Sequence, residues 1–128
     1  MPERPSRPTD VELEILAVLW ELGPSTVRQV HRVLADAKGT GYSTTLKMMQ
    51  VMRDKGVLVC DDSVRPQVYR PAASRERTET RLVDDLIARA FGGSAGRLVM
   101  RALGAKRVGA DELREIQRLI DQAKREAK

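Results

Sequence analysis

Cysteine, histidine and phenylalanine each occur once in 128 residues. With Cys60 alone, the chain can form no internal disulfide and no multi-cysteine metal site. His31, the single histidine, lies far from Cys60 in sequence, so neither a zinc site nor a nucleophile–base pair is indicated. Aromatic residues make up only 3%, which argues against an aromatic-lined ligand pocket. The longest apolar run, residues 15–20, falls far short of a membrane span. The opening MPERPSRP has no apolar h-region, so no signal peptide is expected there. The carboxylate pairs Asp61-Asp62 and Asp84-Asp85 have no partner acid, base or glycine-rich loop nearby. No enzyme, metal or cofactor is expected, and a reducing cytoplasm is the expected compartment.

What is present is a charged, foldable chain. Hydrophobic residues are 41% and charged residues 32%, the balance of a folded protein rather than a disordered one. The net charge of +5 is unevenly spread. Residues 1–24 carry two Lys/Arg against five Asp/Glu, net −3. Residues 25–74 carry eight against four, and residues 75–128 thirteen against nine, each net +4. A basic excess that begins partway along the chain is an electrostatic footprint for nucleic acid.

Residues 1–8, rich in proline and arginine, read as a flexible arm. Thr9-Asp10-Val11-Glu12 fits a capping box for a helix with an apolar stripe at Val11, Ile15, Val18, Leu19 and Leu22. Gly23-Pro24 ends it, and Ser25 or Thr26 caps a second helix that buries Val27, Val30, Val33, Leu34 and Ala37. Ser43 reads as the cap of a third helix, with Thr45, Met49 and Met52 facing inward. Its opposite stripe is Thr44, Lys47, Met48 and Val51, and Gly56 stops it. Short β-branched runs at 57–60 and 67–70 then read as a hairpin, with Pro66 in its turn. Helix, turn, helix, hairpin is the order of a winged helix-turn-helix, so residues 9–71 are expected to form a DNA-binding head.

The rest is helical. One stripe ends near Phe91, Ser94 caps a short helix through Leu103 that Gly104 ends, and a last helix starts at Gly109. Three short helices with narrow seams cannot enclose a core in about 50 residues. Residues 75–128 are therefore expected to pair with a second copy, through Leu82, Leu86, Phe91, Leu98, Leu113, Ile116 and Ile120. The expected fold is mostly α with a small β-wing: a winged-helix head followed by a helical dimerisation region.

Several segments together resemble the penicillinase repressor family, the BlaI/MecI-type transcriptional regulators. They are Leu13-Glu14-Ile15-Leu16 with Leu19-Trp20, Gly23 with Thr26-Val27-Arg28-Gln29-Val30, and Gly41-Tyr42-Ser43-Thr44-Thr45. Lys55-Gly56, Val68-Tyr69-Arg70-Pro71, Phe91-Gly92-Gly93-Ser94 and Leu98-Val99 complete the set. The resemblance implies a homodimer that binds an inverted-repeat DNA operator and blocks transcription. It also implies relief by proteolysis in the C-terminal region, triggered by a membrane metalloprotease-type receptor for β-lactams. Arg101-Ala102 aligns with the bond cleaved in penicillin-responsive relatives, although the flanking residues differ. Lys47 stands where the family often has Thr, Val51 where it often has Arg, and Val64 where it often has Gly.

The candidate DNA-contacting residues are Arg28, Tyr42, Ser43, Thr44, Lys47, Met48, Val51 and Arg65. Lys47 can donate to guanine O6/N7, Thr44 can bond a base edge or phosphate, and Met48 or Val51 can pack on a thymine methyl. Arg28 reads equally as a backbone contact or a plain surface charge. Tyr42 reads as a core-edge aromatic whose hydroxyl could reach a phosphate. Arg65 sits at the wing tip beside Asp61 and Asp62, which repel phosphate. His31 reads as a surface or boundary residue. Two alternatives remain at this point: a head that binds protein instead of DNA, and a repressor relieved by a small ligand.

Overall fold

The computed structural model describes residues 8–105 and 107–127. All of the expected N-terminal arm except Pro8, and Lys128 at the far end, lie outside the described residues. The order is α1 (Asp10–Leu22), α2 (Val27–Lys38), α3 (Tyr42–Asp54), β1 (Leu58–Asp61), β2 (Val68–Pro71), α4 (Arg75–Ala90), α5 (Ala95–Ala105) and α6 (Ala110–Glu126). The chain divides into two compact units, residues 1–82 and 83–128. Three helices followed by a hairpin and then further helices is the expected winged-helix architecture with a C-terminal helical part.

Two helices of the first unit start at reciprocal caps. Thr9 Oγ1 accepts from the Glu12 amide at 3.2 Å, and the Glu12 carboxylate accepts from the Thr9 amide at 3.1 Å. Thr26 and Gln29 repeat the device on α2, at 3.2 and 2.8 Å. Each box satisfies amides that a helix start leaves without partners. The third helix differs from expectation. It begins two residues earlier, at Tyr42, with Gly41 as its cap and no side-chain cap bond, so Ser43 lies inside the helix. Thr45 instead turns its hydroxyl back to the Gly41 carbonyl at 3.2 Å.

The core comprises Ile15, Leu16, Leu19, Val27, Val30, Leu34, Met49, Met52, Leu58 and Tyr69, all in the first unit. Fully burying one such side chain contributes about 1.5–3 kcal/mol. On α1 the buried positions are Glu12, Ile15, Leu16 and Leu19, a strict i, i+3, i+4, i+7 face. The expected stripe was rotated: Val11 and Leu22 are exposed, and Leu16 takes their place. On α2, Val33 and Ala37 are likewise exposed, because only Val27, Val30 and Leu34 point at α1 and α3. The inward face of α3, Thr45, Met49 and Met52, is buried as its spacing required.

The hairpin is antiparallel, Leu58 opposite Pro71 through Asp61 opposite Val68, one residue later on both strands than the sequence suggested. Pro71 is tolerated because it is the last residue of its strand. Outside the hairpin, Ser25 forms an antiparallel bridge to Tyr69, with N–H···O distances of 3.0 and 2.8 Å in the two directions. The Ser25 backbone is thus tied to β2 by a single bridge, and Thr26 is the cap of α2. Among the described non-glycine residues none has positive φ, so Val64 sits in the wing turn without left-handed backbone.

The second unit is described by itself. The Ser94 hydroxyl accepts from the Arg97 amide at 3.1 Å at the start of α5. That helix runs through Gly104 to Ala105, past the expected stop. Among the described residues of α4, α5 and α6, none is buried.

Candidate nucleic-acid interface

The inner face of α3 is locked into the core, and that fixes what its outer face presents. Thr44 and Lys47 are exposed, and Val51 is partly so. Met48 is half-buried and packs against the core, so it belongs to the edge of the stripe rather than its centre. Ser43 is exposed in the first turn. At the C-terminal end, Arg53 pairs with Asp54 at 3.3 Å.

Tyr42 opens α3, is 41% exposed, and is held from α2. The Arg28 guanidinium lies over the ring, 5.6 Å from its centroid. The His31 ring meets it edgewise, at 5.6 Å and an interplanar angle of 85°. Arg28 and His31 are three apart on one helix and share a face. That face was legible in the sequence, but its meeting with Tyr42 needed the α2–α3 turn to be in place. The structure thus brings together Arg28 and Tyr42, which the sequence named, and His31, which it set aside.

The wing turn spends its polar groups on itself. Asp61 accepts from the Ser63 amide at 2.9 Å and its hydroxyl at 2.5 Å, and these bonds hold the carboxyl below the usual range. Asp62 accepts from the Cys60 thiol at 3.3 Å and the Gln67 amide group at 3.2 Å. Arg65 donates to the Asp62 carbonyl at 3.0 Å, which curls it over the turn. Both acids noted as repelling phosphate are therefore turn-forming groups. Desolvation foremost, then the bond to Asp62, raises the Cys60 thiol pKa, which keeps it a thiol rather than a nucleophile. Burial does the same to the neighbouring Tyr69 hydroxyl.

One buried charge escaped the sequence analysis. Glu12, 2% exposed, reaches from the start of α1 to Lys55 at the end of α3, 2.7 Å away. The pair clamps the end of the candidate reading helix to the first helix. Glu14 and Lys38 make a second, more exposed tie between α1 and α2. Arg75, at the start of α4, lies over the Trp20 ring at 5.4 Å.

The candidate pairing residues fall on partly open surface. Leu86, Leu113 and Ile120 are exposed, and Leu82, Phe91, Leu98 and Ile116 are half-buried. Val99, Met100, Leu103 and Leu119 add further exposed apolar surface outside the expected pairing set. Arg101 and Ala102 are exposed within α5. Among the described residues, no helix is long and apolar enough to cross a membrane, and no cluster of His, Cys, Asp or Glu could hold a metal ion.

Comparison with known proteins bears directly on this arrangement. The family model for penicillinase repressors matches residues 8–122, nearly the whole chain. Two proteins named transcriptional regulator BlaI are each 30% identical over 112 residues. They come from Mycobacterium tuberculosis strains CDC 1551 / Oshkosh and ATCC 25618 / H37Rv. The match covers 87% of this chain and 80% of each relative. With the head and all but the last turn of the C-terminal helices inside the matched span, the chain belongs to the penicillinase repressor family, and the relatives it matches are regulators of transcription.

Proposed function

We propose that this protein represses transcription as a homodimer bound to an inverted-repeat DNA operator, and that proteolysis in its C-terminal region ends repression. The observation that carries the proposal is the outer face of α3. Thr44, Lys47 and Val51 are exposed on a helix whose opposite face is buried, and a hairpin follows at once. A helix held in this way can enter the major groove while a wing and the α2 start touch the flanking backbone. In this arrangement Lys47 reads a base edge, Thr44 and Ser43 bond bases or phosphate, and Met48 and Val51 offer methyl contacts. Arg28, Tyr42 and Arg65 serve the backbone.

Dimerisation is supported by helices in which no residue is fully buried within one chain. Their apolar positions, Leu82, Leu86, Phe91, Leu98, Leu113, Ile116 and Ile120, are the surface for the second copy. Relief by cleavage is supported by the setting of α5. Gly92 and Gly93 precede it, and Gly96 and Gly104 lie within it, so this helix opens more easily than its neighbours. Arg101-Ala102 is the bond put forward for cleavage, triggered by a membrane metalloprotease-type receptor for β-lactams.

The test is duplex binding by the full chain to a site selected from a random-sequence DNA library. Binding should weaken steeply as salt rises, because phosphate contacts release counterions. Lys47→Ala should cost about 1–3 kcal/mol and relax the preference at one base position. Salt-independent binding, or an unchanged base preference, removes the major-groove role. For relief, fragment mass and operator occupancy are followed after β-lactam is added to cells holding the receptor. Occupancy that falls with the chain intact points to a ligand instead of cleavage.

A further inference from the structure

The Tyr42 ring is held between two α2 side chains, the guanidinium of Arg28 and the imidazole of His31. Arg28 is a permanent cation. Imidazole gains its second proton close to physiological pH. His31 is the chain's only histidine, so across the mildly acidic range no other imidazole competes with it. We propose that His31 is a positioning residue for DNA binding: it orients Tyr42 across the α2–α3 junction and, when protonated, adds a positive charge beside Arg28, which makes operator binding pH-dependent. The inference rests on the proposal that this face meets DNA.

The charged surroundings of His31 are cationic, so a positive charge there needs an anion from outside the chain. On its own helix the charged neighbours are Arg28, one turn before, and Arg32, next in sequence. From α3 it faces Tyr42. The partly or fully buried acids of α1 point elsewhere, Glu12 to Lys55 and Glu14 to Lys38. Among the described residues, no carboxylate forms an ion pair with His31. A proton taken up there is therefore not neutralised by the protein itself. A DNA phosphate brought against Arg28 and Tyr42 supplies the missing anion, so binding and protonation reinforce one another.

The sign follows from linkage. If bound DNA favours the protonated ring, complex formation takes up a proton and affinity rises as pH falls. The gain is on the order of tenfold per protomer for each unit by which DNA raises the imidazole pKa.

The experiment titrates the full-length protein with a selected duplex by fluorescence anisotropy, at constant ionic strength, from mildly acidic to mildly alkaline pH. The wild type should bind more tightly on the acid side. His31→Gln, which removes both the ring contact to Tyr42 and the ionisable group, should bind more weakly across the range and lose the dependence on pH. Tyr42→Leu, which leaves the imidazole without its ring partner, should also flatten the profile. Thermal melting of both variants checks that the head remains folded, as expected for two side chains outside the core. Wild-type affinity that is flat in pH overturns the inference and leaves the DNA proposal standing, and so does His31→Gln keeping the wild-type slope. No binding to any selected duplex at any pH overturns the DNA proposal and this inference with it.

Discussion

At the scale of single residues, the sequence is most misleading where one side chain does two jobs. Glu12 was legible as half of a capping box, because Thr9 precedes it by three. That it is also a buried partner of Lys55, 43 positions away, was not legible, since nothing local marks a long-range ion pair. Removing one member of a buried pair strands the other, although solvent reaches Lys55 and softens the loss. Lys55→Ala should destabilise the head by about 2 kcal/mol by this reasoning. Glu12→Ala should cost more, because the cap goes too. Chemical denaturation checks this, and equal losses for the two would deny the double role. Asp61 offers a second case. The Ser63 bonds lower its folded-state pKa, so its contribution is present above the unfolded carboxyl range and is lost as pH falls through the lower folded value. The Ser63 amide should therefore lose its protection in acid, its exchange approaching the intrinsic rate, and Asp61→Ala should show that loss at neutral pH. Ser63 protection that ignores both changes contradicts the assignment.

Elements were legible where periodicity and caps agree. The inward face of α3 was correct because Thr45, Met49 and Met52 fall at i, i+4, i+7 on a short helix with one buried side. The α1 stripe was misaligned because its face begins with Glu12, a charged residue that a hydrophobic pattern skips. The cap of α3 was misplaced for a related reason. A serine in the right neighbourhood outranks glycine on propensity, yet the chain leaves its turn at Gly41 and needs no side-chain cap there. The Ser25 bridge was invisible because one strand residue has no alternation to read. Ser25 being occupied by the sheet, Thr26 alone fixes where α2 starts, and with it Arg28 and His31. Thr26→Ala should lower stability by about 1 kcal/mol. It should also weaken DNA binding by more than that loss of stability explains, since the start of α2 frays and the grip on Tyr42 loosens. Calorimetry alongside binding isotherms separates the two effects. A variant that melts earlier but binds as before would confine Thr26 to stability.

At the scale of the whole molecule, the division of labour follows from where burial occurs. Every buried hydrophobic among the described residues lies before position 70, and the last three helices bury none. The narrow seams of residues 75–128 already pointed to a missing partner, because no second apolar surface in that segment could cover them. What the sequence could not convey is how firmly the head is attached to the start of α4. Arg75 lies over Trp20, and the first compact unit runs to residue 82. A fragment of residues 1–82 should therefore fold, and should be more stable than one of residues 1–74, which lacks the cation over the indole. That contact is worth about 0.5–1 kcal/mol at an exposed site. Both fragments should be monomers, since the seam Leu113, Ile116 and Ile120 is gone. Two linked heads gain by effective concentration, so each fragment should bind an inverted repeat at least a hundredfold more weakly than the full chain, on the order of what tethering supplies. A single half-site should be bound almost as well by the fragments as by the full chain, because tethering contributes nothing there. Sedimentation gives the oligomeric state, and titration of whole and half operators gives the affinities. A stable dimer of residues 1–82 would move the pairing surface into the head, while equal losses on half-sites and whole sites would mean that the C-terminal helices shape the reading face and do not merely join two copies of it.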